Sequence, residues 1–157
     1  MEENNVKDLG ENTACCDIFE EFDEENNLIK EYCHWKLLVR NRNKTLGNCV
    51  AILKRHIERF DEITEEEIKD YLNVIKDVES VLRKTFGCKK LNYQMTMMKD
   101  VHLHFHIFAR YDDEKKFVSQ VWIDYGWPGV TGKNQEFEVS KEMLRRIRDK
   151  INENMLK

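Results

Sequence analysis

The segment that most constrains the fold is Val101–Tyr111, with the sequence VHLHFHIFARY, in which three of the five histidines occupy every second position. Successive side chains of a β-strand point to opposite faces. One face therefore carries imidazoles: His102, His104 and His106. The other face is apolar and is expected to pack on the core: Leu103, Phe105 and Ile107. We expect the histidine face to look towards solvent.

The surrounding pattern predicts further strands of an antiparallel sheet. Short apolar or alternating runs are typical of strands, and they occur at His34–Asn41, Cys49–Lys54, Lys90–Met98, His102–Arg110 and Lys116–Asp124. The third and fourth runs are expected to pair through a turn at Lys99 and Asp100. Cys16–Phe22 fits either a short strand or a short helix, and the polar run at 23–27 (DEENN) predicts a turn.

Two longer segments predict helices. Thr64 and Glu67 fit a capping box, and Gly87 can end that helix in the left-handed conformation. Apolar residues recur after Thr64 at helical spacing and are expected to form one core stripe: Ile68, Tyr71, Leu72, Ile75, Val78 and Leu82. Ser140 can cap a last helix with its own apolar side: Met143, Leu144, Ile147, Ile151 and Met155. About five strands and two main helices predict an α+β domain on an antiparallel sheet.

Length and composition predict one cytoplasmic domain, residues 15–157, after a disordered acidic segment, residues 1–14. The net charge of −4 and the lack of a long apolar stretch give no reason to expect a nucleic-acid polymer or a membrane as partner. The five cysteines are irregularly spaced, without a C-x-x-C pair, which predicts reduced thiols. A metal site that uses Cys33 and His34 stays open.

The histidine triplet has three interpretations. The first is a row of ordinary surface histidines, although an uninterrupted triplet is unusual. The second is a metal site, but same-face neighbours on a strand lie about 6.6 Å apart, so a straight strand brings two of them, not three, to one zinc ion. The third is catalysis on a phosphate ester. A neutral imidazole nitrogen can attack phosphorus if a fixed acceptor holds the proton on the other nitrogen.

The residues HLHFHIF match the His-φ-His-φ-His-φ-φ pattern, with φ apolar, and here the chain resembles the histidine triad family. The segment TLGNCVAILKRHIERFDEIT is similar to a second conserved block of that family. LNYQMTMM stands where a strand precedes the triad, and ARY stands where PRY often follows it. The resemblance covers roughly residues 35–124. It implies a HIT-like α+β fold, usually homodimeric, that hydrolyses or transfers nucleotides at the α-phosphate.

The resemblance also implies roles for the three histidines. His104 is expected to be the nucleophile that forms a covalent nucleotidyl-histidine, which water then cleaves. His102 is expected to set ring orientation, and His106 to contact the phosphate and assist the leaving group. Typical substrates are dinucleoside polyphosphates and nucleoside phosphoramidates, commonly adenosine-based. No metal or other cofactor is expected for the covalent step.

The chain departs from the family pattern around the substrate. Asn48 stands where many members have a histidine, His56 matches a less essential one, and Met98–Asp100 replaces a loop with Ser and Gln donors. A residue that holds the ribose in relatives falls near Arg40 and Asn41. The substrate-binding candidates are Asn41, Asn43, Asn48, Asn92, Gln94 and Lys99.

Other features leave rival functions open. The departures around the substrate motivate an alternative, a nucleotide-binding or partner-binding module that retains a weakly active triad. A metal protein that uses two of the triad histidines is a third option. Adjacent Cys15 and Cys16 do not match the C-x-x-C through which some relatives bind zinc, so that site is not expected. Trp127 and Tyr125 are expected to pack the sheet edge or a dimer contact rather than to cap a base.

Overall fold

The structure is a computed structural model that describes residues 16–131 and 137–155. The segment predicted to be disordered, residues 1–14, lies outside the described residues. The strands are β1 (Leu28–Glu31), β2 (Trp35–Val39), β3 (Arg42–Asn43), β4 (Cys49–Leu53), β5 (Lys90–Gln94), β6 (His104–Arg110), β7 (Lys115–Phe117), β8 (Gln120–Trp122) and β9 (Phe137–Glu138). The α-helices are α1 (Ile18–Glu21), α2 (Glu24–Asn27), α3 (Glu65–Phe86) and α4 (Lys141–Asn154).

Five strands form one antiparallel sheet in the order β1-β2-β4-β6-β5. Strand β6, which carries two of the triad histidines, lies between β4 and the edge strand β5. His106 is opposite Val50 on one side and Gln94 on the other. The predicted α+β fold with a five-stranded antiparallel sheet is therefore confirmed.

The two faces of the sheet are covered differently. Helices α3 and α4 cover one face, where the main core includes Trp35, Leu37, Val39, Leu103, Ile107, Val78, Leu82 and Ile147. A second, smaller cluster lies on the opposite face and brings α1 onto the sheet: Ile18, Phe22, Leu38, Val50 and Ile52. The triad histidines lie on this second face, because side chains alternate along β6.

The predicted ends of α3 are confirmed. The Thr64 hydroxyl accepts from the Glu67 amide at 3.2 Å, and the Glu67 carboxylate accepts from the Thr64 amide at 2.9 Å. Gly87 follows the helix at φ 68°, in the left-handed region that favours glycine. For α4, the Ser140 hydroxyl accepts from the Met143 amide at 3.1 Å, as expected.

The predicted core stripe of α3 is partly wrong. Ile68 and Leu72 are 52% and 49% exposed, whereas Val74, Val78 and Val81 are buried. At about 100° per residue, Ile68 and Leu72 lie about a third of a turn away from the buried line. The predicted stripe therefore combined residues from two neighbouring apolar strips of α3. The sheet covers only the strip that contains Val78.

Three other sequence predictions are wrong in detail. Residues 24–27 form α2 rather than a turn. The single strand predicted at Lys116–Asp124 is a hairpin, β7 and β8, turned by Val118 and Ser119 at φ 47° and 59°. Strand β6 begins at His104, so His102 precedes it.

Candidate active site

The triad face of the sheet lies under α1 and not, as expected, in solvent. The Phe22 ring centre is 5.9 Å from those of His104 and His106, and the Phe19 ring centre is 5.8 Å from that of His102. His102 and His104 are consequently buried, at 1% and 2% exposure. The apolar face of α1 thus shields two of the three imidazoles from bulk water.

His104 is held in one tautomer. Its Nδ1 lies 2.6 Å from the carbonyl oxygen of His102. A carbonyl only accepts, so Nδ1 carries the proton and Nε2 keeps its lone pair. Burial lowers the pKa of His104, and the positive charge of Arg40 lowers it further. The hydrogen bond to the His102 carbonyl acts in the opposite direction. The ring is therefore neutral at pH 7, with a nucleophilic nitrogen.

His106 is held in the opposite tautomer. The Nε–H of Arg40 donates to His106 Nδ1 at 3.2 Å, so the imidazole proton lies on Nε2. Burial lowers the pKa of His106 to about 3, and the nearby charges of Arg40 and Lys44 contribute. The rings of His104 and His106 are perpendicular, with centres 4.9 Å apart. A neutral hydrogen-bond donor therefore lies beside the nucleophile.

The His102 ring points away from these two. Its Nε2 donates to the carbonyl of Leu53 at 2.5 Å, which leaves Nδ1 unprotonated. That nitrogen faces Nδ1 of His56 at 3.1 Å and the sulfur of Cys16 at 3.2 Å. His56 in turn has its Nε2 3.1 Å from the carboxylate of Glu58, which can only accept. Two nitrogen lone pairs and a sulfur thus converge within 4.8 Å.

A cleft of about 420 Å³ opens in front of His104 and His106. Its other lining residues come from α1, from the turn after β2 and from the loop before the triad: Glu21, Phe22, Arg40, Asn41, Arg42, Thr96, Met98, Lys99 and Asp100. The Glu21 carboxyl shares a hydrogen bond with Asp100, and this bond together with burial raises the pKa of Glu21. The cleft can hold a phosphate group against both imidazoles.

The predicted substrate residues divide into two groups. Asn41 and Lys99 line the cleft. Asn92 and Gln94 are not among its lining residues. Asn92 instead accepts from Arg110 at 2.7 Å.

Asn43 and Asn48 are buried and support the walls. Asn43 donates to the carbonyl of Arg40 at 2.9 Å. Asn48 accepts from Thr45 at 2.7 Å and from the Ala109 amide at 3.1 Å, so it ties the turn after β2 to β6.

Sequence reasoning missed the part that Arg40 plays. It considered this position only as near a ribose contact, whereas the structure places the guanidinium on His106. The two residues are 66 positions apart, so no local pattern marks the contact. Thr96, which offers a hydroxyl to the cleft, was missed for the same reason.

Comparisons with known proteins identify the family of the chain. The HIT domain family model matches residues 22–113. An uncharacterized HIT-like protein of Methanocaldococcus jannaschii is 30% identical over 84 residues, which are 51% of this chain and 64% of that relative, so the match spans less than two thirds of its length.

Solved structures show the same fold. A histidine triad protein from Sinorhizobium meliloti superposes with a TM-score of 0.68 at 21% identity, covering 87% of this chain and 94% of that one. The diadenosine triphosphate hydrolase of Plasmodium falciparum superposes at 0.57 with 13% identity, covering 82% and 78%. Because the HIT domain model matches more than half of this chain, the chain belongs to the histidine triad (HIT) family.

Proposed function

We propose that the protein is a nucleotide hydrolase or transferase that acts at the α-phosphate through a covalent nucleotidyl-His104 intermediate. One observation carries the proposal. The His102 carbonyl holds the proton on His104 Nδ1 at 2.6 Å, and His104 lines an open cleft beside His106, whose Nε2–H can donate a hydrogen bond. This is the arrangement that an imidazole nucleophile requires.

The proposed reaction has two displacements. The Nε2 lone pair of His104 attacks the α-phosphorus, the bond from phosphorus to the leaving group breaks, and the leaving group departs with its electron pair and takes up a proton from solvent. The Nε2–H of His106 hydrogen-bonds to the phosphoryl or leaving-group oxygen. Water or another acceptor then attacks phosphorus, the P–N bond breaks, and His104 regains its lone pair while the proton of the attacking group goes to solvent.

The proposed substrate is a dinucleoside polyphosphate or a nucleoside phosphoramidate, in its adenosine form in view of the family resemblance. Family membership supports it, and a structural neighbour is named as a diadenosine triphosphate hydrolase. Asn41 and Lys99 are the proposed substrate contacts, because both line the cleft.

The proposed function is tested by turnover. Purified protein is incubated with diadenosine triphosphate, diadenosine tetraphosphate and adenosine phosphoramidate, and released adenosine monophosphate is quantified. We expect release from at least one of them. If nucleotides bind but none is turned over, the proposal fails in favour of a binding module with an inactive triad.

The binding module is favoured by the loop before the triad. Met98 is 81% exposed, and Lys99 lies 3.6 Å from Glu21. Met98 cannot donate a hydrogen bond to a phosphate, and the charge of Lys99 is shared with that carboxylate. The same turnover assay separates this alternative from the enzyme.

We also propose a metal site formed by Cys16, His56 and His102, contrary to the expectation that the chain needs none. Donor atoms around one tetrahedral zinc ion lie roughly 3.3–3.6 Å apart, close to the 3.1 and 3.2 Å observed. The bond from His102 to Leu53 fixes the ring as the outer partners of metal ligands do. Such a metal would anchor the start of α1 to the sheet and supply structure rather than chemistry.

The metal site predicts about one zinc ion per chain after purification without chelators. His56→Ala is expected to lose most of the metal and to lower the melting temperature, because one ligand is gone. His34→Ala is the matched control, since His34 is outside the cluster and should keep its metal. Elemental analysis that finds a negligible metal content in the wild-type protein, or the same content in His56→Ala, would rule the site out.

A homodimer is proposed as well, formed through edge strand β5 and the neighbouring side of α3. The hydroxyl of Tyr93 in β5 donates to Glu79 at 2.9 Å, which places that side of the helix at the sheet edge. The exposed Ile68 and Leu72 lie on the same side. Burial of such side chains is typical of subunit interfaces.

The dimer is tested with Leu72→Lys, which places a charge in the proposed interface. We expect the wild-type chain to sediment as a dimer and the variant as a monomer. Asn73→Lys, on an exposed part of α3 outside this strip, should remain dimeric. A wild-type monomer at all concentrations would contradict the proposal.

A cytoplasmic location is proposed on the basis of the cysteines. Three of the cysteines among the described residues are free thiols: Cys33, Cys49 and Cys88. Free thiols are usual in a reducing compartment. Within residues 16–131 and 137–155, every helix is too short or too polar to cross a bilayer.

A further inference from the structure

One proton in the proposed reaction has no donor within the triad. When the leaving group is an amine, its nitrogen has to be protonated as the bond to phosphorus breaks. The Nε2–H of His106 belongs to a neutral ring, which would become an imidazolate anion if it gave that proton away. The Nδ1–H of His104 is bound to the His102 carbonyl at 2.6 Å. An acid that serves the leaving group therefore has to come from another part of the cleft.

Glu21 lines the cleft together with both imidazoles, and α1 holds it there. It precedes Phe22, whose ring centre is 5.9 Å from those of His104 and His106. The Glu21 carbonyl accepts from the Asn41 side chain at 3.0 Å, which ties the end of α1 to the turn after β2. Burial lowers the pKa of His104, and the carboxylate of Glu21 acts against this shift, so the two groups are close enough to interact.

The Glu21 carboxyl keeps its proton more readily than an ordinary glutamate does. A carboxylate only accepts hydrogen bonds, so the bond between Glu21 and Asp100 requires a proton on one of the pair. This bond raises the pKa of Glu21, as do burial and the charge of Asp100, whereas Lys99 at 3.6 Å acts in the opposite direction. The Glu21 side chain is 41% exposed, so it can exchange its proton with solvent. These are the properties of an acid that solvent reloads between turnovers.

We propose that Glu21 is the general acid that protonates a nitrogen leaving group. The proposal rests on the proposed function and concerns the proton that departure requires. As the bond from phosphorus to the substrate nitrogen breaks, its electron pair stays on nitrogen, which takes the carboxyl proton of Glu21 and leaves as an amine. The Glu21 carboxylate then takes a proton back from solvent. A dinucleoside polyphosphate does not need this acid, because its leaving group is a nucleotide that is stable as an anion at pH 7.

The acid is tested by its dependence on the leaving group. The variant Glu21→Gln keeps the size of the side chain and lacks its acidic proton. The measurement is kcat/KM, which reports on the steps up to departure of the leaving group, with adenosine phosphoramidate and with diadenosine triphosphate. We expect Glu21→Gln to lower kcat/KM about a hundredfold or more for the phosphoramidate and less than about fivefold for the triphosphate. Glu20→Gln is the matched control, because Glu20 lies on the same helix and is not among the residues that line the cleft. It should keep wild-type values with both substrates.

The pH profile gives a second readout. In the wild-type protein, kcat/KM for the phosphoramidate should fall as pH rises through the pKa of Glu21, since the acid must hold its proton. This fall should be absent from Glu21→Gln and from cleavage of the triphosphate. The variant leaves the other titratable and charged groups around Glu21 in place: Asp17 and Glu20 on α1, Arg40 and Arg42 after β2, Lys99 and Asp100 before the triad, and His102, His104 and His106.

Three results with a wild-type protein that cleaves both substrates would overturn the acid and leave the proposed function standing. The first is an equal effect of Glu21→Gln on the two substrates. The second is a loss in Glu20→Gln as large as that in Glu21→Gln. The third is a loss confined to the phosphoramidate in Lys99→Gln instead, which would assign the proton to the ammonium. A wild-type protein that cleaves the triphosphate alone would also reject the acid, whereas turnover of neither substrate would reject the proposed function together with it.

Discussion

Replacing His104 with alanine is expected to lower the rate of nucleoside monophosphate release at least about a thousandfold, because the variant lacks the atom proposed to bond phosphorus. Neighbouring imidazoles cannot take over this role. The nitrogen of His106 that would face the phosphate, Nε2, is protonated, since Arg40 donates to Nδ1. The His102 ring is directed at Leu53, His56 and Cys16. The measurement is kcat/KM with diadenosine triphosphate and adenosine phosphoramidate.

The matched control for this variant is His34→Ala. His34 contributes backbone hydrogen bonds to Asp70 and Lys54, outside the cleft, and its alanine variant should keep wild-type turnover. Circular dichroism and thermal melting of His104→Ala should show a folded protein, so that lost activity reports on chemistry. Turnover by a folded His104→Ala within a few-fold of wild type would refute the assigned nucleophile.

The second large effect is expected on stability, from replacing Asp124 with alanine. The Asp124 carboxylate accepts from Arg110 Nε and Nη2 at 2.7 and 3.1 Å, and the side chains are 0% and 4% exposed. It also accepts from the amides of Tyr111 and Gly126 at 3.2 and 3.1 Å. Removing it leaves a buried guanidinium without this carboxylate, although Arg110 still donates to Asn92 and to the Gly129 carbonyl. Such losses cost about 3–5 kcal/mol in the free energy of unfolding.

Urea denaturation measures this cost, and Asp112→Ala is its control. Asp112 pairs with Lys89 at 3.8 Å, and both side chains are largely in solvent. Exposed pairs of this kind contribute about 0–1 kcal/mol. If Asp124→Ala lost no more stability than Asp112→Ala, the Arg110–Asp124 pair would not secure the end of β6 as described.

The fold was predictable where the sequence pattern is local. Alternation around Leu103 and Ile107 identifies a half-buried strand, and the capping residues Thr64, Glu67 and Gly87 mark the ends of α3. Each of these signals depends on neighbours within a few positions. The hairpin of β7 and β8 was missed because its turn uses Val118 and Ser119 at positive φ, where Gly or Asn is usual.

The site was predictable only in its central part. The triplet spacing predicted that the histidines share one face. Imidazole chemistry added the expectation that a fixed acceptor holds the proton on the second nitrogen of the nucleophile. For the proposed nucleophile His104, the His102 carbonyl at 2.6 Å from Nδ1 is such an acceptor. The packing of α1 on the triad and the contact from Arg40 to His106 join distant segments, with Cys16 and His102 separated by 86 positions. Such contacts depend on tertiary packing and leave no local signature.

The most direct test of the central claim is to look for the nucleotide on His104 itself. A single turnover with an adenosine substrate is stopped at successive times in alkaline denaturant, because a nucleotidyl-histidine is labile in acid. The protein is then digested and its peptides are weighed by mass spectrometry. We predict that the peptide containing His104 gains the mass of one adenylyl group and loses it on acid treatment. Release of product while that peptide stays unmodified at every time, or an adduct on another residue, would contradict the account.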